Sequence, residues 1–174
     1  MEDCLEVVYT RRSVRTYSDR EIGEEEIKKI LKAAMQAPSA GNEQPWHFIV
    51  VKDREKLKKM SEAFTFGQML PNAGAAIVVC ADPKLSKYPY EMWVQDCSAA
   101  TENILIAARC LGIGSVWLGV YPREERMAQL RKILQIPDEI VVFSVVSLGY
   151  PKSEREFYEA ADRFREERIH IEKW

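Results

Sequence analysis

Histidine is scarce in this chain: His47 and His170 are the only two in 174 residues, too few for a credible metal-ligand set. The four cysteines (Cys4, Cys80, Cys97, Cys110) stand far apart with no CxxC pair, which points to free thiols in a reducing cytoplasm. Three of them sit in apolar stretches and are expected to be buried. There is no GxxxxGK(S/T) phosphate loop and no GxSxG nucleophile elbow, so the commonest NTPase and hydrolase readings fall away. No apolar run approaches the ~18 residues of a membrane span. Basic residues are not in excess: 25 Lys+Arg face 27 Asp+Glu, a net charge of -2, which argues against a general nucleic-acid binder. The acidic start at Met1–Cys4 lacks the order of a signal peptide, so the expectation is a cytoplasmic protein without a nucleic-acid or membrane partner.

What is present is an ordinary globular composition, 47% apolar and 30% charged, long enough for a single domain over residues 1–174. Leu5, Val7 and Val8 predict a short opening helix. Ile27, Ile30, Leu31, Ala34 and Met35 keep helical spacing up to Pro38, and Arg54 to about Phe66 predicts another helix. Phe48–Val51, the unbroken apolar run Ala75–Ala81 and Ile140–Leu148 read as strands, the second buried on both faces. A last helix is expected from about Arg123 to Leu134. The longest helix, Glu91 to Leu111, is apolar nearly all round, so a second subunit is inferred to cover part of it. The alternation of helices and strands implies a layered α/β architecture, with mixed strand directions open. From Lys152 the chain turns charged with scattered aromatics, including Tyr158, and reads either as an arm across a partner or as a solvated tail.

Two segments carry chemistry. Arg11-Arg12-Ser13-Val14-Arg15 gathers three cations and a hydroxyl without an acid. It can be a solvated run that suits the dipole at the end of the first helix, or a set of guanidinium forks converging on a phosphate. Ala37-Pro38-Ser39-Ala40-Gly41-Asn42-Glu43-Gln44-Pro45-Trp46 can be a helix stop with Trp46 as core anchor, or a polar rim whose Ser39, Asn42 and Gln44 meet a heterocycle edge. Gly112-Ile113-Gly114-Ser115-Val116-Trp117 is no dinucleotide fingerprint, because Trp117 stands at the third glycine position and a helix precedes the segment. His47 is expected to pack rather than act as a base. Asp96 and Glu102, in the apolar helix, are expected to bond or pair at an interface.

In order and spacing the two segments, Gln95-Asp96, Gly112–Gly119 and Gly149-Tyr150-Pro151 together resemble the compact members of the nitroreductase family of FMN-dependent oxidoreductases, over essentially the whole chain. The resemblance implies an α+β fold: a mixed central sheet flanked by helices, with the long central helix at the interface of a homodimer and two FMN sites lined by both chains. It implies that Arg11, Arg12, Ser13 and Arg15 hold the phosphate and ribityl end. Pro38, Ser39, Asn42 and Gln44 would line the ring from the partner subunit, and Leu118 and Gly119 would sit beside the reactive flavin nitrogen. Arg163 would be a second phosphate cation, ahead of Arg165, and Gln68 matches a position at the pyrimidine edge. The implied activity is hydride transfer from NADH or NADPH through FMN to a nitroaromatic, quinone or similar small acceptor, with no side-chain acid or base and no metal. Alternatives are a specialised flavin enzyme of the same fold (reductive dehalogenation or dehydrogenation, with ferredoxin as a possible donor) or a non-catalytic mononucleotide-binding dimer. Larger relatives carry a helical excursion over the pocket and often an acid where Leu118 falls. This chain is expected to lack most of that excursion and the acid, and to have an open pocket.

Overall fold

The structure is a computed structural model that describes residues 4–153, 157 and 162–174. Part of the arm expected from Lys152, with Tyr158, lies outside the described residues. Among the described residues, five α-helices, α1 (Cys4–Thr10), α2 (Glu24–Ala34), α3 (Arg54–Ser61), α4 (Trp93–Cys110) and α5 (Glu124–Leu134), surround four strands, β1 (Trp46–Val51), β2 (Ala75–Ala81), β3 (Gly114–Gly119) and β4 (Val141–Gly149).

The sheet runs β1-β2-β4-β3 and every pair in it is antiparallel. The mixed directions expected from sequence are confined to one parallel bridge, Ser13 to Ser115, at the outer edge of β3. All seven residues of β2 are buried, as a central strand covered on both faces requires. Its alternate residues serve two cores. Ala75, Ile77, Val79 and Ala81 pack with α2 and α4, while Ala76, Val78 and Cys80 pack with Leu57 and Met60 of α3 and Leu130 of α5. The result is a helix–sheet–helix sandwich in which each large buried aliphatic contributes about 1.5–3 kcal/mol.

Local chemistry sets the helix ends. Three glutamates open α2, and the Glu26 carboxylate accepts from the Gly23 N–H. The Asp53 side chain caps α3 by accepting from Lys56 N at 2.8 Å. That helix stops at Ser61, five residues short of the expectation, because the chain turns back and buries Phe64, Met69 and Leu70 from a loop. A Cβ on Gly67 would lie 2.7 Å from the Ser61 carbonyl oxygen, which shows how tight that turn is. Ser115–Leu118, to which no element was assigned from sequence, belong to strand β3.

Helix α4 ties the ends of the molecule together. Asp96 near its start accepts from Ala40 N at 2.9 Å, and Arg109 near its end donates from Nε to Thr10 Oγ1 at 3.1 Å. Thirteen residues separate them, about 20 Å along the axis. Trp93, Cys97, Ala100, Ile104, Leu105 and Ala108 face the core, leaving Gln95, Ser98, Ala99, Glu102, Ile106 and Cys110 as a stripe this chain does not bury. Cys80 and Cys97 are buried, and burial pushes both thiols up to about 12. Cys110 is exposed, contrary to expectation, because it falls on the open stripe. His47 is likewise exposed on edge strand β1 and does not pack. Among the described residues no helix is long and apolar enough to cross a membrane.

Two glycines make the groove that seats the extended segment after α1. A Cβ on Gly114 would stand 2.7 Å from Val14 Cγ1, and one on Gly149 would enter the Tyr17 ring. Gly114→Ala is therefore expected to destabilise the fold by about 1–3 kcal/mol through overpacking. Urea unfolding should show a lower midpoint at unchanged slope; an unchanged midpoint would mean that Val14 is not seated there.

Candidate functional site

Beyond Thr10 the chain runs extended along the outer edge of β3. Val14 N donates to Ser115 O at 2.9 Å, and Tyr17, whose hydroxyl burial shifts to higher pKa, lies 2.9 Å from Val14 O and 3.1 Å from Ser147 Oγ. Val14 and Tyr17 point inward, while Ser13, Arg15 and Thr16 are exposed. The three arginines also have partners in their own chain. Arg11 Nε meets Glu102 Oε1 at 3.4 Å, Arg12 Nη1 donates to the Tyr9 and Arg11 carbonyls at 2.8 Å each, and Arg15 Nη1 donates to the Ser13 carbonyl at 3.1 Å. The Arg12 contacts are those of a cation at a helix C-terminus, so that reading of the cluster holds in part. Even so, Arg11, Arg12 and Arg163 converge on one cleft of about 640 Å³, whose apolar wall includes Val8, Tyr9 and Phe164. Arg15 and Gln68 share a second cleft of about 320 Å³ with Asn72 and Lys152.

The pairing parity of β3 decides which of its groups face outward. Ser115 O accepts from Val14 across the edge, so Ser115 points away from β4 and, at period two, so do Trp117 and Gly119. The Gly119 carbonyl confirms this by accepting from Arg126 Nη1 at 2.8 Å. The Gly119 N–H therefore faces outward, and among the described residues it has no partner. Leu118 faces the other way, with its backbone toward β4 and its side chain in the core beside α5. Of the two positions that the family resemblance put beside a cofactor, Gly119 presents an open donor and Leu118 does not. A Cβ on Gly119 would meet nothing within 4 Å. Space, an outward N–H and a cationic segment thus share one strand edge, about 13 Å apart from Ser115 to Gly119. These residues fit an anionic ligand with a planar head.

The polar loop lies elsewhere. Gly41, Asn42 and Gln44 all have positive φ (56°, 56° and 49°), a compact turn that glycine and asparagine tolerate and glutamine resists. Gln44 N donates to Ser39 Oγ at 3.0 Å and Gln44 Nε2 donates to Asn42 Oδ1 at 2.9 Å, so part of the loop's polarity maintains its own shape. Trp46 anchors it, buried in the core. Pro38, Asn42 and Gln44 remain exposed. Because the loop leads into β1, it is three strands, about 14 Å, from the β3 edge of the same chain. One chain does not bring Ser39, Asn42 and Gln44 to its own Gly119.

A family model for the nitroreductase family matches residues 8–150. The chain belongs to the nitroreductase family. It is 82% identical over its full length, and the full length of the relative, to an Archaeoglobus fulgidus protein that carries the provisional name NADH dehydrogenase/NAD(P)H nitroreductase. A crystal structure of a protein provisionally named in the same way, from Parabacteroides distasonis, superposes with a TM-score of 0.92 at 39% identity and covers 100% of both chains. An FMN-dependent nitroreductase from Clostridium difficile gives 0.88 at 34%, covering 98% of this chain and 99% of its own. The α+β architecture of the family is the one described above.

Sequence reasoning did not single out Asn72 or Lys152, which line the cleft of Arg15 and Gln68. A polar stop before the apolar β2 run was the available signal for Asn72. Asp96 and Glu102 do bond, as expected, but within this chain: Glu102 to Arg11, and Asp96 to the Ala40 N–H that fixes the polar loop. Asp96 is only 4% exposed, and its Oδ2, like Oε2 of nearby Glu43, is buried without a protein partner. Burial, with a lesser push from the Glu43 charge, raises its pKa. A carboxyl whose folded pKa is raised adds stability below its unfolded value near 3.9, and that stability is lost as pH rises through the folded value. Asn at this position can still accept from Ala40. The Asp96→Asn protein should thus gain on wild type as pH rises from about 4, then hold a constant difference. Thermal unfolding across that range checks this, and a pH-independent difference would show that Asp96 titrates normally.

Proposed function

We propose that this protein is a homodimeric FMN-dependent oxidoreductase that passes hydride from NADH or NADPH to a small acceptor such as a nitroaromatic or a quinone. The observation that carries the reading is the β3 edge, where a Gly119 N–H with no partner among the described residues and open space lie along one strand from a cluster of arginines. The FMN dependence of the Clostridium difficile relative supports the choice of mononucleotide. FMN, when bound, supplies the hydride chemistry; the protein supplies binding, orientation and electrostatics.

In this reading Arg11, Arg12, Ser13 and Arg163 hold the phosphate, with Arg15 and Gln68 nearer the ring. Arginine suits the task because its planar fork matches phosphate bidentately. The Gly119 N–H donates to the ring nitrogen, and Pro38, Ser39, Asn42 and Gln44 of a second copy close the opposite side. Two further features support a second copy. The stripe on α4 is only partly buried, and Leu5, Val8 and Tyr9 of α1 and Phe164, Ile169, Ile171 and Trp174 of the arm are large apolar side chains left exposed. We infer that the single domain places its arm from Lys152 across that partner. With no excursion between Pro71 and β2, the pocket is open, which favours broad acceptor use.

Purified protein is expected to be yellow and to bleach on addition of NADH or NADPH in the absence of oxygen. A colourless protein that gains no absorbance from added FMN would contradict the reading. Arg163 is exposed and has no ion pair among the described residues, so Arg163→Ala should leave the melting temperature in place. Loss of a charge-assisted bond of about 1.5–3 kcal/mol should weaken FMN binding roughly 10- to 100-fold. Unchanged affinity in a fluorescence-quenching titration would remove Arg163 from the site.

A further inference from the structure

We propose that Arg126 is a positioning residue for the flavin, locking the Gly119 peptide at the edge of β3 and setting a fixed positive charge beside the ring. This rests on the FMN reading above and adds to it a residue from helix α5. Arg126 Nη1 donates to the Gly119 carbonyl at 2.8 Å. That carbonyl and the outward N–H belong to one residue, and in an antiparallel strand both project to the same side. The guanidinium is therefore one residue's width from the donor that meets the ring.

Gly119 needs this restraint. It is the last residue of β3, it has no side chain to pack, and nothing of its own chain lies within 4 Å of where a Cβ would be. Glycine at a strand end keeps more backbone freedom than any other residue. The bond from Arg126 is the one side-chain hydrogen bond it accepts among the described residues. Arg126 is itself held from behind: its guanidinium lies 5.2 Å from the centroid of the buried Phe64 ring, and it is half-buried at the first turn of α5. Desolvation and the neighbouring Arg123 charge both press on it. Glu62 and Glu125 rim the same cleft of about 360 Å³, yet neither forms an ion pair with it. Its Nη1 bonds the β3 edge instead.

A fixed cation one residue from the ring stabilises the added negative charge of the reduced cofactor more than the neutral oxidised ring. Losing it should lower the midpoint potential as well as loosen binding.

The test compares wild type, Arg126→Gln and Arg126→Lys by FMN titration of the apoprotein, midpoint potential of the loaded protein and melting temperature. Arg126→Gln should bind FMN about tenfold more weakly, with a more negative midpoint potential and a nearly unchanged apoprotein melting temperature. Arg126→Lys, which keeps the charge, should restore the potential. Equal potentials in all three proteins, or Gln and Lys variants displaced alike, would overturn the proposal and leave Arg126 a packing residue. Failure of wild type to take up FMN would instead overturn the flavin reading, and this inference with it.

Discussion

The hydrogen bond from Val14 N to Ser115 O divides the outer edge of β3, and the candidate site follows from that division. An edge strand presents unpaired donors and acceptors at every second residue and must cover them or use them. Here the extended segment after α1 covers the beginning of the strand and stops. Gly119, four residues on, keeps an outward N–H with no partner among the described residues. The same stretch that covers the edge carries Ser13 and Arg15 on its exposed face, because Val14 and Tyr17 take the buried positions. Cations and an open donor thus share one edge through ordinary strand alternation, with no glycine-rich loop.

The rest of the sandwich holds that edge in place and leaves it unfinished. The buried strands β2 and β4 are a rigid backing, and α4 connects the arginine segment to the polar loop through Arg109, Glu102 and Asp96. The polar loop is placed at the far edge of the sheet, about 14 Å away. Helix α4 leaves one stripe partly open, α1 exposes Leu5, Val8 and Tyr9, and the charged arm exposes Phe164, Ile169, Ile171 and Trp174. On the proposed reading one chain is half of a site, and the surfaces offered to the other half carry both polar residues and exposed apolar ones.

Much of this was legible from the residues. The unbroken run Ala75–Ala81 announced a central strand, the spacing of Ile27, Ile30 and Ala34 announced α2, and the nearly all-round apolar character of Glu91 to Leu111 announced the long buried helix α4. Ser115–Leu118 was harder, because a short run after Gly112 and Gly114 carries no period long enough to separate strand from loop. Its strand character comes from pairing with β4 and not from propensity. The site divided similarly. Arginine chemistry and the polar loop could be read locally, whereas the different facing of Leu118 and Gly119 depends on pairing parity. Arg126 depends on where α5 returns to the sheet. His47 and Cys110 were misread as buried because apolar neighbours in sequence do not reveal which side of a strand or helix a residue takes.

Sedimentation velocity recorded at the flavin absorbance tests the divided site most directly. If each β3 edge is completed by the polar loop of a second copy, FMN added to the apoprotein should sediment with a species of twice the chain mass, one flavin per chain, at every concentration where it is bound. Flavin travelling with a single chain, or failing to travel with the protein at all, would contradict it.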